Sequence, residues 1–143
     1  MISGYKKYRS KVGLGLLGIL SLGFGVGLYY MIVDWNSIGA LIHLVTFALV
    51  YYLFFSISYE IKGDDLLVNY AAFYQKKIKI PSICRIKETR NPLGSPAASL
   101  DRLEIQYGSN GFILVSPKEK MAFIDHLKSL NPEIQVEFRK KKE

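Results

Sequence analysis

Residues 12–33 and 38–58 carry no charged side chain, and only Asp34, Trp35, Asn36 and Ser37 separate the two stretches. As helices rising 1.5 Å per residue they would be about 33 Å and 31 Å long, against a bilayer hydrocarbon core of about 30 Å, so each is predicted to span a membrane with little tilt. Past residue 58 the pattern changes to short alternating runs broken by turns, which predicts strands at 59–62, 66–71, 74–80, 83–89, 103–107 and 112–115. Lys77-Ile78-Lys79-Ile80 alternates around a pleat until Pro81, and Leu103, Ile105 and Tyr107 alternate with Glu104 and Gln106. Turns are predicted at Gly63-Asp64-Asp65 and at 108–111.

A helix should follow. Ser116 is positioned to cap it, Pro117 suits the first helical position, and Glu119 completes a capping box. Phe123, Ile124, Leu127 and Leu130 form its apolar face and Asn131-Pro132 ends it, with a short strand within 133–138 after it. The expected fold class is α+β: a two-helix transmembrane hairpin, then an antiparallel sheet closed by a C-terminal helix. The expected division is 1–58 for the basic N-terminus and hairpin, and 59–143 for one small soluble domain.

Charge adds a topology. Of a net +7, Lys6, Lys7, Arg9 and Lys11 precede the first span with no acidic residue among them, whereas the loop between the spans carries only Asp34. Basic residues collect on the cytoplasmic side of spans, which predicts a multi-pass protein of the cell membrane with both termini cytoplasmic. Residues 59–143 hold 15 basic and 11 acidic side chains and no basic-aromatic stacking array, so nucleic acid is not an expected partner. The first apolar run exceeds the length of a signal-peptide core and leaves through Tyr29, Tyr30 and Met31 rather than a small-x-small site, so it reads as a retained helix. The lone Cys84 has no partner for an internal disulfide.

Inside the hairpin, Tyr29, Tyr30 and Trp35 mark one boundary and Tyr51, Tyr52 and Tyr59 the other, as aromatic belts do. Gly15, Gly18 and Gly25 share one side of the first span, with Gly13, Gly23 and Gly27 on the opposite side. One glycine face is expected to pack on the second span and the other, with the Gly23-x-x-x-Gly27 spacing, to meet a second copy of the chain or another membrane protein. His43 is expected to bond the facing helix or reach the interface.

Four features taken together carry a family resemblance: the hairpin, the sheet, the run Asn91-Pro92-Leu93-Gly94-Ser95-Pro96-Ala97-Ala98-Ser99-Leu100-Asp101-Arg102, and Ser116-Pro117-Lys118 opening a helix. Over residues 58–134 the chain resembles the YyaB-like family of bacterial PH-domain proteins. The resemblance implies a PH-like fold, a strongly bent small sheet capped by a C-terminal helix and carried on membrane helices. Lipid-binding PH domains carry a basic turn between their first two strands, whereas here that turn is Lys62-Gly63-Asp64-Asp65, which argues against inositol-lipid binding.

The loop 89–102 is the expected binding site. Pro92 and Pro96 stiffen it, Ser95, Ser99 and Asp101 offer local side-chain bonds, and Arg90, Asn91 and Arg102 can present donors to a carboxylate or phosphate. The competing reading of Asp101, Arg102 and the serines is that they tie the loop to the domain. Lys76, Lys77 and Lys79, with the tail Arg139, Lys140, Lys141 and Lys142, are the expected contacts to an anionic membrane surface. No glycine-rich phosphate loop, nucleophile elbow or H-E-x-x-H motif occurs, so no enzyme, cofactor or metal is expected. The function expected is a membrane-anchored interaction module: an adaptor, sensor or envelope resistance factor. The alternative is a structural subunit of a membrane assembly or transporter, acting through the hairpin.

Overall fold

The structure, a computed structural model, describes residues 5–91 and 99–140. The order is β1 (Lys6–Arg9), α1 (Leu14–Val33), α2 (Ser37–Phe55), β2 (Ser58–Lys62), β3 (Asp65–Tyr70), β4 (Tyr74–Lys79), β5 (Ile83–Thr89), β6 (Arg102–Tyr107), β7 (Gly111–Val115), α3 (Lys120–Leu130) and β8 (Gln135–Glu137). Both long helices are apolar enough to cross a membrane and bury none of their residues in the domain. Between them Trp35 takes φ +53, its N–H donating to Ile32 O and that of Asn36 to Met31 O, so a left-handed residue ends α1. Asn36 Oδ1 then accepts from Gly39 N–H at 2.9 Å and caps α2.

Two four-stranded sheets make the domain, in the orders β1-β2-β3-β4 and β7-β6-β5-β8, joined by a 3-10 turn at Ile80–Ser82. The α+β class is as expected, but two strands change the picture. Lys6–Arg9, read from sequence as a topological basic cluster, is a strand paired with β2 from Lys6↔Ile61 to Arg9↔Ser58. The sheet therefore takes in residues from both sides of the hairpin, and a boundary at residue 58 cuts through it. Tyr8 is why: among three charged neighbours it alone turns inward, meeting the Phe123 ring edge-on at 5.2 Å. The other change is β8, which runs parallel to β5 from Arg85↔Gln135 to Lys87↔Glu137, so the second sheet is mixed.

Helix α3 closes the core with Phe123, Ile124 and Leu127, all fully buried, while Leu130 is largely exposed and does not join that face. It begins at Lys120, not Pro117. Ser10 bridges Pro117, Lys118 N–H donates to Arg9 O at 2.9 Å, and Lys11 N–H donates to Ser116 O at 2.6 Å. These bonds to the N-terminal strand and the residues after it hold 116–118 extended for three residues longer than the capping signal implies. Ser116 is buried and caps nothing, since its Oγ donates to Ser99 O at 3.3 Å. Asn131 ends the helix as expected, and its side-chain amide also donates to Ile80 O and Ile83 O at 3.1 Å each, fixing the helix end to the corner between the sheets.

Candidate functional site

Where the hairpin meets the domain, segments distant in sequence converge. Four residues, Ser10 to Gly13, join β1 to α1, and two, Ser56 and Ile57, join α2 to β2; Val12 and Phe54 pack against the domain core. Buried Tyr59 sits at the centre. Its hydroxyl accepts the Ser116 N–H at 2.9 Å and donates to Ser10 Oγ at 3.2 Å, and burial, before any other influence, pushes its pKa up. A neutral hydroxyl thus ties β2 to both the residue leaving β1 and the residue leaving β7.

Around it lies a chain of charges. Lys120 on α3 bonds both Glu88 of β5, at 2.6 Å, and Asp101, and Lys11 bonds the other oxygen of Asp101 at 2.9 Å. The backbone N–H of Arg139 donates to the second oxygen of Glu88 at 3.0 Å. Burial alone would raise the Asp101 pKa, but the hydrogen bonds from Lys120 and Lys11 outweigh it and hold the carboxyl below its ordinary value. Glu88 is held low chiefly by Lys120, and Lys120 is itself raised because its two carboxylates outweigh its desolvation.

The expected loop residues separate into two groups. Arg102 is only 4% exposed; its Nε donates to Ser99 O at 2.6 Å and a terminal nitrogen donates to Asn91 O at 3.0 Å. It therefore closes the loop on itself by joining the two ends, while Ser99 Oγ accepts the Asp101 N–H at 3.2 Å and fixes the turn at one of them. Asp101 faces the lysines rather than a ligand. Of the six, Arg90 and Asn91 are exposed, and Ser95 lies outside the described residues. The described ends of the loop are tied together and to the domain, with Arg90 exposed at one of them.

The strand lysines have partners within the domain. Lys77 and Lys79 both bond Asp65, at 2.9 and 2.7 Å, at the end of the first sheet remote from the helices, and Lys76 lies over the Tyr107 ring. Arg139 and Lys140 are exposed beside Glu88, on the side where α1 begins, and Lys141 and Lys142 lie outside the described residues.

In the hairpin a Cβ on Gly27 would come within 2.9 Å of His43 Cε1, so this glycine lets the helices close, and His43 bonds Phe24 O of the facing helix at 2.8 Å. Around Gly15, Gly18, Gly23 and Gly25 an added Cβ would meet nothing within 4 Å. The contact between spans thus uses Gly27 of the pair whose spacing suggested a neighbouring chain while Gly23 stays open, because the His43 bond and the edge-to-face rings of Phe24 and Phe47 at 4.9 Å set how the helices turn.

The joint as a whole was not legible in the sequence. Its members come from 10–11, 59, 88, 99–102, 116 and 120, and the one available signal was the inward Tyr8 among charges. A pH effect follows from its flank. Tyr8 Oη lies 3.1 Å from His126 Nδ1, and burial first, then the Lys6 charge, pushes the His126 pKa down. Protonation is therefore easier in the unfolded chain. Stability is full above the ordinary imidazole value of about 6.5 and is lost as pH falls from there through the depressed folded value. The melting temperature of the intact protein should fall between about pH 7 and pH 5, and His126→Gln should flatten that limb. A wild-type profile already flat over that range would contradict the assignment.

Among the described residues no group of three or more His, Cys, Asp or Glu side chains is placed to hold a metal ion. No curated protein and no solved structure matches the chain. A family model described as a bacterial PH domain matches residues 57–131, from the end of the hairpin through α3. With more than half of its length matched, and with two small sheets closed by a C-terminal helix, the chain belongs to the bacterial PH-domain family.

Proposed function

We propose that this protein is a non-enzymatic interaction module held at the cytoplasmic face of a bacterial cell membrane by its helical hairpin, working as an adaptor, sensor or envelope resistance factor. Within the PH-domain family we place it with the YyaB-like proteins, on the Asn91-to-Arg102 run and the Ser116-Pro117-Lys118 segment. One observation carries the anchoring. The strand before α1 pairs directly with the strand after α2, so both hairpin ends must lie on one side of whatever the helices enter, as two antiparallel spans require. Because β1 also buries Tyr8 in the core, loss of the first helix by cleavage would remove a working part of the domain, which favours its retention. The basic residues before α1 favour the cytoplasmic side.

The partner-binding face is assigned to the 89–102 loop, with exposed Arg90 as the contact residue and Arg102, Ser99 and Asp101 holding its base. A membrane or cytoplasmic protein bearing a carboxylate or phosphate is the expected ligand. The second reading, a structural subunit acting through the hairpin, is favoured by the open backbone at Gly15, Gly18, Gly23 and Gly25.

The deciding experiment exchanges 14–55 for an unrelated two-span hairpin and compares partners recovered from native membranes with those of the intact protein and of Arg90→Glu. Recovery that survives the exchange and is lost in Arg90→Glu supports the module. Loss on exchange, with Arg90→Glu unaffected, supports the structural subunit. For topology, Trp35→Cys in a Cys84→Ser background should react with an impermeant thiol reagent added outside intact cells, whereas native Cys84, exposed on β5, should react only after lysis.

A further inference from the structure

The first sheet has two ends, and they differ in chemistry. Arg9, Ser58, Asn69 and Gln75 stand side by side across its four strands. One step beyond them, β1 runs on toward α1, β2 arrives from α2 with Ser10 N–H donating to Ile57 O at 3.1 Å, and Tyr70 pairs with Tyr74. The β3–β4 turn, Ala71-Ala72-Phe73, therefore projects from the same sheet end as both helices. Ala71 lines one cleft with Tyr52 and Phe55 of the last turns of α2, and Lys7 and Arg9 rim that cleft.

Composition sets this turn apart. The turns at the other sheet ends use glycine in the left-handed conformation, Gly63 at φ +58 and Gly108 at φ +61, with Asp64, Ser109 and Asn110 beside them. Ala71 takes the same conformation at φ +56 with a Cβ to accommodate, and no Gly, Pro, Asn, Asp or Ser occurs in the turn. Phe73 is 80% exposed and Tyr74 59%, next to an α2 end whose Phe55 is also exposed. An apolar turn kept where the backbone favours glycine, beside spans that enter hydrocarbon, has a reason if the turn itself is in an apolar medium. Tyr74, stacked on Tyr70 at 5.6 Å, and basic Lys7 and Arg9 then fall at headgroup depth.

We propose that the β3–β4 turn is a membrane-inserted wedge, with Phe73 seated in the leaflet that faces the domain. It would give the domain a third attachment to the bilayer besides α1 and α2, and set its orientation on the surface. The inference rests on the spanning hairpin, and the test separates the two. The full-length protein, with Trp35→Phe to clear the background, is reconstituted in phosphatidylcholine–phosphatidylglycerol vesicles containing acyl-brominated lipid. Single tryptophans are placed by Phe73→Trp, by Leu22→Trp in mid-span, and by Asp64→Trp at the opposite end of the same sheet, roughly 20 Å from Phe73. The expected result is blue-shifted emission at 73, quenched by bromines near the headgroup, deep quenching at 22, and neither effect at 64. Quenching at 22 without quenching at 73 overturns the wedge and leaves the hairpin standing. No quenching at 22 overturns both.

Discussion

Phe123→Ala is expected to unfold the PH-like domain while the helical hairpin stays helical. Phe123 is fully buried and lies where three segments meet: its ring is 5.2 Å from Tyr8 at 84° and 6.0 Å from Tyr59. Truncating a buried phenylalanine to alanine costs about 3–5 kcal/mol, from lost transfer energy and the void left behind. The whole stability of a small domain is about 5–15 kcal/mol. Here the void would also free the edge strand β1, because Tyr8 keeps that strand in place through this ring and through bonds to α3 at Ala122 O and His126. For a domain of this size the loss corresponds to more than about 12 °C in melting temperature. Circular dichroism of the intact protein in nanodiscs should show the strand signal melting early or absent at 25 °C, with helix content largely retained. Leu130→Ala, on the same helix but largely exposed, should move the midpoint little. A Phe123→Ala midpoint within a few degrees of wild type would refute the view that one ring locks β1, β2 and α3 together.

Lys120→Met should make the joint weaker and less sensitive to acid. The single ammonium serves Glu88 and Asp101, and its removal leaves two partly buried carboxylates facing one another, with Lys11 and the Arg139 N–H as their remaining partners among the described residues. Charge-assisted bonds of this kind contribute about 1.5–3 kcal/mol each, less where water reaches them, so a combined loss of about 1–3 kcal/mol is expected. The sign of the pH effect follows from depressed carboxyl values in the folded state. Such groups stabilise above their unfolded pKa of about 4, and the gain disappears as pH falls through the folded values. Without Lys120 both carboxyls rise toward their unfolded values, so the variant is already weaker at neutral pH and the acid limb of its melting curve should flatten. Lys128→Met, an exposed lysine on the same helix, should change neither quantity. If both variants behave alike, the charge chain does not hold the loop base to α3.

How much of this was readable without the fold depends on the range of the interactions. The two spans were legible because an uncharged run of some twenty residues has one common physical meaning, and the observed helices fall within a few residues of the expected limits. β5 matches its expected limits, β2, β4, β6 and β7 shift by one residue at one end and β3 by one at both, since period-two alternation is local. The start of α3 was misplaced for the opposite reason. Ser116, Pro117 and Glu119 make a sound local cap, yet hydrogen bonds from residues more than a hundred positions earlier take Ser116 and Pro117 for strand-like pairing. The edge strand β1 was hidden by its own charge, because three basic residues in four read as a topology signal before they read as a pleat.

Sequence by itself determined the membrane-length helices, the order of the strands from β2 to β7 and the amphipathic closing helix, each through patterns spanning a few to some twenty residues. The tertiary structure decided that the strand before the hairpin pairs with the strand after it, that Arg102 serves the loop's closure, that Lys77 and Lys79 neutralise Asp65, and that an apolar turn sits beside the spans. These depend on which distant groups meet. A guanidinium that binds carbonyls within the chain and one that binds a ligand have the same letter in the sequence, and only burial and the positions of Ser99 and Asn91 separate them.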